Sequence, residues 1–70
     1  DRRAARDRLL REAAALIPGS CWQKAETLAG LIRQFHHPVD DVRRLLWHAE
    51  RTGAPLPRSA RQVFRIIVID

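Results

Sequence analysis

Cysteine occurs once in the 70 residues, at Cys21, so no internal disulfide can form and the chain suits a reducing compartment. No apolar run approaches the ~20 residues needed to cross a bilayer. The arginine- and alanine-rich start has no apolar centre of the kind a secretory leader requires. The expected setting is therefore intracellular, in the cytoplasm, away from any membrane. The chain also lacks a glycine-rich phosphate loop, a Cys-x-x-Cys or His-x-x-x-His pair, an internal repeat and any low-complexity tract. Acidic residues are missing altogether between Arg51 and Ile69. These gaps argue against an enzyme and leave a binding module, with no catalytic residue, no cofactor site and no metal site expected.

The few residues that invite chemistry have plainer explanations. His36, His37 and His48 with Cys21 are the candidate zinc ligands, but adjacent histidines rarely hold one ion together. Helix-end and surface histidines are the expectation. Cys21 stands in the first turn of a helix, which favours a thiolate, yet no paired base is evident and a buried or inert thiol is expected. Asp40 and Asp41 are consecutive, so on a helix they diverge by about 100° and act as end caps rather than as a carboxylate pair.

What the chain does have is arginine. Twelve of the thirteen basic residues are arginine, the net charge is +5 and the pI is near 11.3. The excess is uneven: residues 1–19 balance at +2, residues 20–50 at zero and residues 51–70 at +3. The guanidinium fork suits phosphates and base edges, so a polyanion is the partner the charge points to.

The periodicity of the apolar positions predicts four short helices and no sheet. The first spans about 3–17, with Ala5, Leu9, Ala13 and Leu16 inward and Arg3, Asp7 and Arg11 opposite. Pro18-Gly19 ends it. Ser20, three residues before Gln23, has the spacing of a capping box. It opens a second helix to about Phe35, with Trp22, Ala25, Leu28, Ala29, Ile32 and Phe35 on its apolar face. Pro38 opens the third, with Val39, Val42, Leu45, Leu46 and Ala49 inward and Gly53 as its left-handed stop. Leu56 anchors the connection, and Pro57 opens a fourth helix to about Ile67. The run Ile66–Ile69 has a short strand as its alternative, because β-branched residues favour sheets.

The expected fold is all-α, a compact bundle of four short helices. Residues 1–70 are read as a single helical domain, with 1–18 serving either as its first helix or as a linker and 19–70 as the helical core. A chain this short buries little surface. Its start without methionine and its apolar end suggest a piece of a larger protein.

Two surfaces stand out. On the last helix Arg58, Arg61 and Arg65 share one side, opposite Ala60, Val63, Phe64 and Ile67. On the third, Arg44, Trp47 and Arg51 recur at helical spacing, with the indole placed to stack on an unpaired base between phosphate-holding arginines. The bland alternatives are a solvated face for the arginines and a packed structural role for Trp47. A merely solvated face usually mixes both signs, and here it does not.

The order of segments has a likeness. Ala25-Glu26-Thr27-Leu28-Ala29-Gly30-Leu31 is followed by a break and Pro38-Val39-Asp40-Asp41-Val42. Leu45-Leu46 and Ala49, Pro55-Leu56-Pro57, and Gln62-Val63 leading to Ile66 come next. Over about residues 19–67 this resembles the small helical domain C-terminal to the catalytic domain in primases of plasmids, phages and other mobile elements. The resemblance implies an accessory module of a DNA replication protein. Such a module contacts single-stranded or template duplex DNA, or positions a catalytic primase domain in the same parent chain. A shorter stretch, Leu56 to Phe64, resembles the opening of the promoter-binding region of bacterial sigma factors. Two alternatives from other classes are a protein-interaction or transcription-regulatory domain docking through Ile66–Ile69 and Trp47, and a membrane-surface helix at residues 2–17.

Overall fold

The computed structural model of the chain describes residues 1–34 and 37–68. Four helices follow one another: α1 (Arg2–Ala15), α2 (Cys21–Arg33), α3 (Asp41–Arg51) and α4 (Ala60–Ile67). There is no strand among the described residues. The most extensive pairings are α1 with α3 and α2 with α4, and α1 also packs on α4 and α2. The first helix thus packs on all three others. The expected all-α bundle of four short helices is what forms. Its Cα radius of gyration is 10.5 Å, close to the ~11 Å of a compact chain this long.

Each helix start is written in the sequence as an oxygen-bearing cap. Asp1 accepts from the Arg3 N–H, Asp40 from Arg43 and Ser59 from Gln62, each satisfying an orphan donor of the first turn. At Ser20 the exchange is reciprocal: its hydroxyl accepts from the Gln23 N–H at 3.2 Å, and the Gln23 side chain accepts from the Ser20 N–H at 2.8 Å. The capping box read from the sequence is present. At the far end of α3, Gly53 takes φ +90°, a left-handed conformation that a side chain would strain.

The core is small and made of small residues. Leu10, Leu28, Leu46 and Val63 are its largest fully buried side chains, and Ala13, Ala25, Ala29 and Ala49 are buried between them. Alanine at helix crossings lets the axes approach closely, at the cost of apolar area per residue. Ile32, Val42, Leu45, Ala60, Phe64 and Ile67 pack around this centre half-buried.

Several boundaries and faces differ from the sequence expectation. On α1 the buried positions are Leu10, Ala13 and Ala14, Ala5 and Leu9 are only half-buried, and Leu16 is 53% exposed beyond the helix end. Alanines at 4, 5, 13, 14 and 15 blur the phase of the stripe, and partners on more than one side decide which face is covered. Val39 is 74% exposed because α3 starts at Asp41, with Asp40 rather than Pro38 at its entry. Likewise α4 starts after Ser59, so Pro57 is a buried residue of the connection rather than its first helical position. Ala54 and Pro57 anchor that connection, while Leu56 is half-buried. Trp22, expected on the core side, is 45% exposed and packs edge-on against Phe64 at 5.5 Å. Cys21 beside it, in the first turn of α2, is exposed rather than buried. Ile66 and Ile67 are helical, which removes the strand alternative for them. Phe35 as the end of the second helix, His36 as a zinc candidate and Ile69 as part of a strand lie outside the described residues.

Candidate nucleic-acid interface

The arginines divide into two groups by what their guanidiniums meet. Arg6, on the inward side of α1, has a side chain only 15% exposed. It donates to the Pro55 carbonyl at 2.6 Å and pairs with Asp7 at 2.8 Å. Arg11, one turn further along, donates from Nε to the Ile66 carbonyl at 3.0 Å, near the C-terminal end of α4. A cation there meets carbonyls that the helix leaves unpaired. Arg33, at the end of α2, donates to the Arg58 carbonyl at 2.7 Å. Together these three bind the 52–59 connection and the end of α4 to the rest of the bundle. They are structural, and the sequence stripe had set Arg11 on the outside.

The six expected contact residues are distributed as follows. Arg58, Arg61 and Arg65 are all exposed, and none of them is in an ion pair among the described residues. Arg58 lies one residue ahead of the Ser59 cap, so it is not on the helix as expected. Arg61 and Arg65 are one turn apart on α4, and Val63 on its other side is fully buried. The lopsided arrangement therefore holds for α4 proper, with Arg58 continuing it from the loop.

On α3 the geometry is more self-contained. The Arg51 guanidinium lies over the Trp47 ring at 4.5 Å from its centroid, and His48 meets the indole edge at 5.2 Å. Trp47 is half-buried. One indole face is thus already covered by a cation–π contact, and a base must displace Arg51 to use it. Arg44 lies 3.5 Å from Asp41 in an exposed pair, which a stronger anion can replace because surface pairs are worth little. The two basic surfaces belong to helices whose main partners differ, α1 for α3 and α2 for α4.

Asp40 caps the helix. The Arg43 backbone N–H holds its carboxyl below the ordinary carboxylate value; desolvation opposes this, and the Arg43 side chain adds to the lowering. No three His, Cys, Asp or Glu side chains converge among the described residues, and no described helix is long and apolar enough to cross a membrane.

One feature went unread in the sequence. A surface groove of about 380 Å³ runs between α1, the 55–57 connection and α4. Leu56, Pro55 and Pro57 supply apolar walls, Gln62, Arg65 and Ile66 come from α4, and Arg6 closes the α1 side. Arg6 and Pro55 are 49 residues apart in sequence, so no local spacing signals their contact. The Pro-Leu-Pro run was the available hint, a stiff segment that fixes a wall in place. No protein-family model, curated protein or solved structure matches the chain.

Proposed function

We propose that this chain is a nucleic-acid-binding helical accessory module of a plasmid- or phage-type DNA replication protein, one that holds template phosphates through arginine. The observation that carries the binding half of the reading is the state of Arg58, Arg61 and Arg65. All three are exposed with no carboxylate partner among the described residues, and the segment from Arg51 to Val68 contains no acid to answer them. Contacts of this kind go mainly to phosphates, so affinity falls steeply with salt. Arg44 and Arg51 extend the basic surface along α3. The replication half rests on the order of segments described above and makes the catalytic primase domain a partner in the parent chain. The cytoplasm is the setting that goes with this reading.

The protein-docking alternative has less to stand on. Of its Ile66–Ile69 run, Ile66 and Ile67 are half-buried against the core and only Val68 is exposed among the described residues, while Arg51 lies on Trp47, so little open apolar surface supports it.

Fluorescence anisotropy with labelled single-stranded and duplex oligonucleotides at two salt concentrations tests the proposal. Binding at low salt that weakens at high salt is expected. Replacing Arg58, Arg61 and Arg65 together by glutamine should weaken it at least about tenfold while leaving the circular dichroism spectrum unchanged. No binding to either oligonucleotide at low salt, or unchanged affinity in the triple variant, refutes the assignment.

A further inference from the structure

The groove beside α4 goes beyond phosphate binding, although its reading rests on the function just proposed. Its volume, about 380 Å³, sits at the lower end of the ~300–1,000 Å³ of small-molecule sites and suits one planar group. Its lining is specific in character. Pro55 and Leu56 present apolar surface, backed by the buried Pro57, on a segment stiffened by the two prolines. Gln62, exposed on α4, has a side-chain amide with both donors and acceptor available. Arg65 stands at the rim, and Arg61 one turn away continues the positive charge.

Charge decides what class of ligand fits. No carboxylate lines this groove. Arg6 is already held by Asp7 and the Pro55 carbonyl, so it fixes the wall and leaves Arg65 as the open cation. The second groove of the molecule, at Leu16 and Leu45, is different: there Asp41 lies beside Arg44 and the charges answer each other. Of these two, the groove beside α4 calls for an anion that also carries a flat, hydrogen-bonding apolar body.

We infer that this groove receives one unstacked nucleotide, so the module prefers single-stranded nucleic acid to duplex. The base lies against Leu56 and the flanking prolines, Gln62 bonds to its edge, and Arg65 and Arg61 hold the phosphates on either side. A duplex keeps its bases within the stack and offers the groove only its backbone, whereas single strands can splay a base outward.

The test uses anisotropy with three labelled ligands of equal length at one salt concentration: oligothymidylate, an abasic strand with the same phosphates, and a duplex. Oligothymidylate should bind at least about fivefold more tightly than the other two, as expected for docking one base with about 1 kcal/mol of contact. Gln62→Glu places a carboxylate in the groove and should reduce that ratio to near one. Gln62 is the third residue of α4, where glutamate favours the helix, so the variant keeps its fold. Thr27→Glu, on an exposed position of α2, adds the same charge outside the groove and should leave the ratio unchanged. Equal affinity for thymidylate and abasic strands, equal effects of the two glutamate variants, or tighter binding to duplex or to an aromatic acidic peptide overturns the inference. If nucleic acid of every kind still binds in those first two cases, the function above survives. Failure to bind all three ligands removes both.

Discussion

Arg6 and Arg11 on α1 donate to the carbonyls of Pro55 and Ile66, while Arg61 and Arg65 on α4 stand in solvent with no carboxylate partner among the described residues. The side chains are identical and their fates are opposite. What separates them is the path of the chain: α1 is covered by the returning connection and by α4, and a guanidinium caught under a backbone finds carbonyls to satisfy it. α4 is the last helix described, covered on one side only. A count of positive charge therefore overstates the binding surface, because part of it holds the fold together.

This contrast can be broken at several points. The largest effect is expected where α1 meets the core: Leu10→Ala leaves a hole beside three helices and should cost about 2–5 kcal/mol, read by urea denaturation. For a chain this small that is about half of the roughly 4–10 kcal/mol available, so a clearly lower urea midpoint is the expected result. A loss below ~1 kcal/mol would mean that α1 is not the shared partner of the other helices. Next, the triple glutamine variant at Arg58, Arg61 and Arg65 should lower the slope of log affinity against log salt by about 2–3. An unchanged slope would place these arginines outside the contact. The opposite behaviour is expected of α1: Arg11→Gln should lower stability by about 1 kcal/mol and leave the salt slope as it was. Finally, the depressed pKa of Asp40 makes its contribution present above the ordinary value of 3.8 and lost as pH falls through the lower folded-state value. Asp40→Ala should therefore melt below the parent at neutral pH, with the gap closing on acidification. A gap that persists at low pH would mean the carboxylate charge is not what stabilises α3.

Much of the fold was legible residue by residue. Ser20 with Gln23, Gly53, and the inward set Leu28, Ala29, Leu46 and Val63 were all readable, because caps and helical spacing are local and their physics needs no partner. The misreadings share one cause. The helical stripe puts Leu9 and Leu16 inside and leaves out Leu10, whereas the placement of α3 and α4 against α1 buries Leu10 instead. Pro38 and Pro57 suit first helical positions, but the nearby Asp40 and Ser59 offer better caps and the helices wait for them.

The candidate site divides in the same way. Arg61 and Arg65 opposite Val63 follow from periodicity, so the sequence named that surface. Arg51 lying on Trp47 was within reach of i, i+4 reasoning, yet the pairing was read as two separate contacts to a ligand. The groove was not legible at all, since its walls come from residue 6, residues 55–57 and α4.

The sequence by itself determined four helices, their starts, and a last helix with a greasy side and a cationic side, because hydrogen-bond capping and a 3.6-residue period act within a few residues. Tertiary structure alone decided which arginines are consumed by backbone carbonyls and where a groove opens. Those outcomes depend on segments up to 55 residues apart meeting in space, and no local pattern encodes the meeting.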